Sequence, residues 1–291
     1  MKCDMHVHSW HSGMCTIPVL KKICRECYTP ADEMYARLKR SGMSLVTVTD
    51  HDSIDAAETL RHHPDFFLSV EITVRLPSGC EAHVGVYDIN ERQHLALQAR
   101  RDDMPRLLAY LQQERLLYSI NHMFSGLTGR RVEEDFQFFA ENFPAMEILN
   151  GAMPVTSNRA SSQACDSLNR IGIGGSDSHG VLSLGRVWTD VPGARNKYEF
   201  FEGLHARRAK VAGRSGNHLR LSAELLTIAG HLFRDKPWTI GLAPLIALIP
   251  VASLINYARE VSFEAYWRNR WLKALQPAIP YQAIEATELA A

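Results

Sequence analysis

The sequence predicts an α/β fold for residues 1–216 and a helical C-terminal extension for residues 217–291. Strand-like and helix-like segments alternate along the first part, as in folds whose parallel strands are covered by helices. After about residue 216 the alternation stops and helical patterns take over. The first part contains about six or seven strand–helix units, which indicates a closed or nearly closed barrel.

The first two elements have clear sequence boundaries. Residues 2–8 predict a short strand. Residues 29–42 predict a helix, because Thr29 suits the N-cap, Pro30 the first helical position and Gly42 the C-terminal end.

Strand and helix patterns then continue to residue 209. A hairpin is expected around the turn Pro77-Ser78-Gly79, since extended patterns flank it on both sides. The further predicted strands cover residues 44–50, 66–74, 81–89, 116–122, 145–151, 171–177 and 185–191. The further predicted helices of this part cover residues 91–115, 132–143, 157–172 and 196–209.

Composition bears on two classes of function. Lys+Arg and Asp+Glu both number 32, so the formal net charge is zero, and binding to nucleic acid through overall charge is not indicated. The 13 histidines are many for this length and favour a metal site.

Six cysteines and the start of the chain bear on the compartment. No apolar leader precedes the first predicted strand, so we expect a cytoplasmic, reducing compartment in which disulfides are rare. Cys24 and Cys27 form one C-x-x-C, without the second pair that a structural zinc site uses. They are either ordinary thiols or a metal-binding or redox pair.

Histidines and carboxylates occur at the ends of successive predicted strands. In an α/β barrel these ends meet at one rim, where active sites lie. In a His-x-His segment both rings lie on the same side of the strand, because side chains alternate. Imidazole with carboxylate suits zinc, manganese or iron. The candidate ligands are His6, His8, His51, Glu71, His83, His122, Asp177 and His179.

The motifs that contain these residues resemble the polymerase-and-histidinol-phosphatase (PHP) family over about residues 1–215. In chain order they are D-M-H-V-H-S (4–9), T-D-H-D-S (49–53), S-V-E (69–71), H-V-G (83–85), N-H (121–122) and G-G-S-D-S-H (174–179). The resemblance implies a distorted seven-stranded (β/α) barrel, two or three divalent metal ions and hydrolysis of phosphoesters. It implies three ligand sets, which are His6, His8, Glu71 and Asp177; Glu71, His83 and His122; and His51 with His179.

One motif departs from the family pattern. Relatives usually carry S-D-G after the first motif, and its aspartate binds the third metal ion, whereas this chain has His11-Ser12-Gly13. Either His11 or Cys15 takes the place of the aspartate, or a longer loop restores the register, or the centre holds two ions rather than three.

Several further polar residues are candidates for the rim. Arg159, and with it the pair Arg130-Arg131, are candidates for phosphate binding, because a guanidinium fork matches phosphate. Asn150 and Glu147 follow another strand end and are candidates for lining the site, with Asn150 contacting substrate. Asp50 and Asp52 are expected to orient His51.

The extension contains an apolar run at residues 237–257 without a charged side chain. Its length of about twenty residues is enough to span a bilayer core. Trp238 and Tyr257 suit the two interfaces, but Gly241, Pro244 and Pro250 interrupt the run. The run therefore either contacts a membrane or packs against protein, as a helical hairpin or a dimer interface.

Together these residues predict a metal-dependent phosphoesterase. A water bound to the metal ions and held by Glu71, Asp177 and His179 is expected to attack phosphorus in line. The expected substrate is a small phosphorylated metabolite or a nucleotide. Two alternatives are open: hydrolysis of a C–N or C–O bond at the same centre, and a non-catalytic, membrane-tethered regulator.

Overall fold

The computed structural model describes residues 1–17 and 20–272, which form a mixed α/β fold. The strands are β1 (Lys2–Cys3), β2 (Ser69–Arg75), β3 (Glu81–Tyr87), β4 (Leu117–Ile120), β5 (Ala145–Asn150), β6 (Ile171–Gly175), β7 (Val187–Asp190) and β8 (Lys210–Gly213). The α-helices are α1 (Ala31–Arg40), α2 (Ala56–Leu60), α3 (Glu91–Gln98), α4 (Met104–Gln113), α5 (Glu133–Asn142), α6 (Val155–Ser167), α7 (Lys197–His205), α8 (His218–Asp235) and α9 (Ile249–Trp267). Short 3₁₀ and π segments cover Trp10–Ser12, Pro237–Leu248 and Arg268–Leu272.

The strands belong to two sheets. One has the order β2-β3-β4-β5-β6, with antiparallel pairs at β2/β3 and β3/β4 and parallel pairs at β4/β5 and β5/β6. The other has the order β1-β7-β8 and is antiparallel. The mixed α/β class and the β2–β3 hairpin are confirmed. The expectation of a single closed sheet is not, since no closed barrel is found in the described residues.

Two segments predicted as strands join the sheet edges through isolated bridges. Val7 bridges to Ser178 beyond β6, and His51 bridges to Glu71 in β2. Between the two segments Thr49 N donates a main-chain hydrogen bond to Val7 O at 2.9 Å, while Val7 N donates to the Thr49 hydroxyl at 3.0 Å. The hydroxyl takes the place of the main-chain acceptor for Val7 N, which interrupts the ladder, so the segments are extended without being regular strands.

Helix α1 is shorter than predicted. It begins at Ala31 with Pro30 at the N-cap, where no side chain caps it, so Thr29 is not the cap. Gly42 follows the helix with φ of +85°, which is the left-handed conformation that glycine adopts most readily. The predicted C-terminal end is therefore confirmed.

The largest hydrophobic core includes the five-stranded sheet and the end of the extension. Phe136 of α5 packs against Trp267 and Trp271, with ring centroids 4.8 and 5.2 Å apart. Trp271 is 2% exposed and belongs to the same cluster as Phe124. The last described residues of the extension are thus part of the main core.

The apolar run of the extension occupies the turn of a helical hairpin. Helices α8 and α9 pack against each other, and the 3₁₀ segment Pro237–Leu248 connects them. The segment Pro237–Leu272 is long and apolar enough to cross a membrane by length and composition alone, and 11% of its most apolar window is buried. Such a segment is also found in soluble proteins, but there it is mostly buried.

Candidate metal centre

All eight side chains predicted as metal ligands lie at one end of the strands, around Glu71. His6 and His8 come from the extended segment after β1, and His51 from the segment that bridges to β2. Glu71 and His83 lie in β2 and β3. His122 follows β4, and Asp177 and His179 follow β6. Their ligand atoms form a connected network of contacts of 3.0–3.7 Å.

The backbone at two of these positions is strained. His122 has φ of 29° and Asp177 has φ of 46°, in a region that residues with a side chain rarely adopt. Such strain persists only where surrounding contacts hold it, and it is common at functional sites.

Glu71 is the centre of the network. Its carboxylate is fully buried, and five imidazoles surround it. The contacts to Oε1 are His6 Nε2 at 3.3 Å, His122 Nε2 at 3.5 Å and His83 Nδ1 at 3.6 Å; those to Oε2 are His51 Nδ1 at 3.2 Å and His8 Nε2 at 3.4 Å.

Electrostatics keep this buried carboxylate ionised. Burial alone raises the pKa of Glu71, but the charges of the neighbouring imidazoles, led by His6, outweigh it and hold the pKa well below its usual range. Glu71 Oε2 and His83 Nδ1 are nevertheless buried without a hydrogen-bond partner among the described residues. Buried polar atoms normally have partners, and a shared cation would supply one to both.

The first ligand set has the spacing of a coordination sphere. Ligand atoms around a tetrahedral zinc ion with bonds of 2.0–2.1 Å lie about 3.3 Å apart. His6 Nε2 and His8 Nε2 are 3.0 Å apart, and Asp177 Oδ1 lies 3.5 and 3.3 Å from them. Glu71 Oε1 lies 3.3 Å from His6 Nε2, and Glu71 Oε2 lies 3.4 Å from His8 Nε2. The spacing of His6, His8 and Glu71 suits a shared divalent cation, and Asp177 lies at similar distances from the two rings.

The second ligand set overlaps the first. Glu71 Oε1 contacts both His83 and His122, as the family resemblance implies. The structure also groups His51 with Glu71 and His83, within 4.8 Å of one another. His51 is thus close to two sets, with Nδ1 facing Glu71 and Nε2 facing away from it.

A carboxylate that the sequence analysis missed lies beside His51 and His179. Glu26 Oε1 lies 3.4 Å from His179 Nε2, and its Oε2 lies 3.6 Å from His51 Nε2. Burial raises the pKa of Glu26, but the hydrogen bond and charge of His179 outweigh it and lower the pKa to about 2. Burial lowers the pKa of His179, but Glu26 outweighs it and raises the pKa to about 9. The two side chains thus form an ion pair.

A small hairpin brings Glu26 back to the first motif. Met14 bridges to Arg25, Cys15 N donates to Cys24 O at 3.1 Å, and Glu26 N donates to Gly13 O at 3.1 Å. Glu26 therefore lies beside Gly13, the position at which the family resemblance implies an aspartate. A longer loop thus brings a carboxylate to His51 and His179.

Glu147 and Asn150 hold ligands in place. Glu147 Oε1 lies 2.8 Å from His6 Nδ1, and Oε2 accepts hydrogen bonds from His122 N at 2.8 Å and Asn150 Nδ2 at 2.9 Å. The Asn150 amide also donates to Asp177 Oδ2 at 2.9 Å. Such contacts fix the orientation of metal ligands. Asn150 is 1% exposed, and its expected contact with substrate stays a prediction.

Asp50 orients His8 rather than His51. The Ser12 hydroxyl donates to Asp50 Oδ1 at 2.8 Å, and its oxygen lies 2.9 Å from His8 Nδ1. Asp52 instead contacts Thr73 N at 3.1 Å and Arg101 at 3.0 Å. The expectation that both aspartates orient His51 is therefore wrong.

The arginine candidates lie elsewhere or have other contacts. Arg159 is exposed on α6, and Arg130 is exposed in the loop before α5. Arg131 is buried and donates to Glu81 O and to Thr128 Oγ1. Their contact with phosphate stays a prediction.

Cys24 and Cys27 are free thiols. Cys27 Sγ donates to His8 O at 3.2 Å, and burial raises its pKa to about 12. The searched residues place neither thiol in a candidate metal group.

The fold and the centre together define the class of protein, which is a mixed α/β protein with a cluster of histidines and carboxylates that could hold metal ions. Comparison with known proteins agrees with the sequence motifs. The family model described as PHP-associated matches residues 155–209, and the resemblance to the PHP family is confirmed. A search of curated proteins found no similar sequence.

Two solved structures share the fold. PsfC from Pseudomonas syringae PB-5123 has a TM-score of 0.53 and 18% identity, over 80% of this chain and 97% of that chain. The lesion-specific endonuclease PfuEndoQ from Pyrococcus furiosus has a TM-score of 0.50 and 14% identity, over 72% of this chain and 57% of that chain. At these identities the comparison shows the fold alone.

Proposed function

We propose that this protein is a metal-dependent hydrolase that cleaves phosphoric esters of a small metabolite or nucleotide. The observation that carries the proposal is the position of Glu71. This buried carboxylate contacts ligands of both sets: Oε1 contacts His6, His83 and His122, and Oε2 contacts His8. A carboxylate in this position would be shared by two cations if both sets were occupied. When bound, divalent cations at this centre supply Lewis acidity toward phosphate oxygens and a water of lowered pKa.

The chain's own residues prepare the ligands for this role. Ser12 donates its proton to Asp50, so its oxygen accepts from His8 Nδ1–H, and the Nε2 lone pair of His8 points into the centre. Burial lowers the pKa of His8 to about 3, which keeps this ring neutral. Glu147 Oε1, 2.8 Å from His6 Nδ1, fixes the orientation of the His6 ring.

The solvent exposure of the ligand side chains indicates the side from which substrate approaches. His6, His8 and Glu71 are 0–1% exposed, whereas the side chain of His179 is 25% exposed and that of His83 is 18% exposed. We infer that substrate enters over His83, His51 and His179. Glu71 and the His-x-His pair form the floor of the site.

The proposal extends to metal number and architecture. We infer three ions, with Glu26 completing the third set alongside His51 and His179. We also infer a distorted seven-stranded barrel, in which residues 5–8 and 46–51 complete the ring between β6 and β2. The isolated bridges at Val7 and His51 support this arrangement.

The test is a screen of the full chain loaded with Mn²⁺ or Zn²⁺ against an aryl phosphate, a panel of phosphorylated metabolites, and matched amide and ester substrates. Glu71→Gln serves as the inactive control. Turnover of phosphates alone is expected. Preferred turnover of amides or carboxylic esters would favour the C–N or C–O alternative, and absence of any metal-dependent turnover would favour a regulator.

A further inference from the structure

The turn of the α8–α9 hairpin has an unusually apolar outer surface. We name residues 237–255 the apolar tip. Seven of its ten large apolar side chains are half exposed or more, whereas Leu242, Ile246 and Ile249 are partly buried. The seven are Trp238 (67%), Ile240 (61%), Leu248 (58%), Leu245 (56%), Val251 (55%), Leu254 (50%) and Ile255 (50%). Contiguous exposed apolar surface of this kind marks an interaction site.

The polarity of the tip is inverted. Its fully buried residues are Thr239 and Ser253, at 0% and 1% exposure. Thr239 Oγ1 donates to Lys236 O at 2.6 Å, and Ser253 Oγ is hydrogen-bonded to the Ser222 hydroxyl of α8. The two hydroxyls thus face the protein and most of the large apolar side chains face outward, which is the reverse of a helix that packs on a core in water.

The hairpin cannot cross a bilayer while it keeps this fold. A spanning helix needs about 20 apolar residues in one piece. Here the uncharged stretch is divided between the 3₁₀ segment and the first part of α9. The second part of α9 packs against the α/β part of the chain. Glu260 Oε2 accepts a hydrogen bond from Gly126 N at 3.1 Å, and Trp267 lies in the main hydrophobic core. Only the tip is free to enter an apolar phase.

Basic side chains surround the base of the tip. Lys236 ends α8 and its Nζ donates to Ile23 O at 2.8 Å, which brings the exposed Lys21 and Lys22 beside the hairpin. Arg234 is also exposed there. Asp235 is the acidic exception, so the base of the tip keeps an excess of positive charge. We name Lys21, Lys22, Arg234 and Lys236 the basic collar. Positive charge next to an inserted apolar segment complements anionic lipid headgroups.

We propose that the apolar tip docks the protein on an anionic membrane surface, with the tip inserted into the interface of one leaflet and the basic collar on the headgroups. A second copy of this chain is a less suitable occupant, because its own tip offers the same excess of positive charge rather than a complementary negative charge.

The experiment uses the full chain and sedimentation with two kinds of vesicle, phosphatidylcholine alone and phosphatidylcholine with about a third phosphatidylglycerol. The wild type is expected to bind the anionic vesicles at least tenfold more tightly, with weaker binding at high salt. Leu245→Glu with Leu248→Glu is expected to reduce binding at least tenfold. The matched control is Leu95→Glu on α3, since Leu95 is 70% exposed and lies outside the tip.

Two further measurements complete the test. Lys21→Glu with Lys22→Glu is expected to remove most of the preference for anionic vesicles. Trp238 fluorescence is expected to be quenched by brominated lipid, and Trp238→Phe should remove that part of the quenching. All variants alter exposed side chains, so circular dichroism should be unchanged.

Three outcomes would overturn the proposal. One is that the wild type binds neither kind of vesicle, and another is that the Leu245/Leu248 double variant binds anionic vesicles as tightly as the wild type does. The third is a wild-type dimer that this double variant converts to a monomer without any vesicle binding, which would make a second copy the occupant. The assay needs no metal ion or substrate, so its result is independent of the proposed hydrolase activity.

Discussion

Substitution of Glu26 by glutamine tests the third ligand set directly. The change keeps the shape of the side chain and removes its charge. Glu26 faces the other ligands at two points, His51 Nε2 at 3.6 Å and His179 Nε2 at 3.4 Å, and it touches neither Glu71 nor Asp177 in the described contacts. The variant should therefore weaken one ion and leave the others bound.

The size of the effect follows from the role of the carboxylate. Loss of residues that only orient a ligand lowers metal affinity about 10- to 100-fold, and loss of a ligand should reach at least the upper value, about 100-fold or ~2.7 kcal/mol. Elemental analysis after dialysis should show one equivalent fewer than wild type. Calorimetric titration of the metal-free protein should show loss of one class of site.

A second readout does not need bound metal. Because Glu26 is the main cause that raises the pKa of His179, the pKa of His179 in metal-free Glu26→Gln should fall from about 9 toward its ordinary value. NMR titration of the imidazole measures this shift. Unchanged metal content together with an unchanged His179 titration would refute the assignment of Glu26.

Three other predictions concern the centre, the core and the thiols. Glu71→Gln should remove metal from both sets that share this carboxylate and lower turnover at least 100-fold, whereas retained metal content would contradict its bridging position. Trp271→Ala should lower the free energy of unfolding by about 3–5 kcal/mol in urea titrations, since the ring is 2% exposed; a change below 1 kcal/mol would mean that the end of the extension is not part of the core. Because the pKa of Cys27 is raised to about 12, its thiol stays protonated at about pH 8, and iodoacetamide should label the partly exposed Cys15 before Cys27. Mass spectrometry that showed Cys27 labelled before Cys15 would contradict the buried environment of Cys27.

The sequence was sufficient to single out the eight side chains that the structure brings together around Glu71, while their division into ligand sets came from the family resemblance. His6 and His8 follow the two-residue period of an extended segment, and Glu71 stands out as a charge within an apolar strand. Local rules of this kind act within a few residues. They located each ligand even where the segment, as at residues 46–51, lacks a regular ladder.

Non-local features were not predictable in the same way. Glu26 reaches the candidate metal centre only because residues 14 and 25 pair across a hairpin. No residue spacing in the sequence predicts that pairing. The antiparallel β3/β4 pair has the same origin, since strand direction depends on the path of the intervening helices α3 and α4. The exposure of the apolar tip also required the structure, because a run of apolar residues has the same composition whether it is buried or exposed.

Because Glu26 lies in a hairpin, it should affect how fast a metal ion exchanges at the third ligand set. His51 and His179 stand on segments bridged into the sheet, but their carboxylate partner arrives on a loop that local opening can detach while the rest of the fold persists. An ion in the third set should therefore leave and re-enter faster than ions held by the fully buried Glu71. Of the ligand sets, this one is the best suited to an ion that turns over with the substrate rather than staying resident.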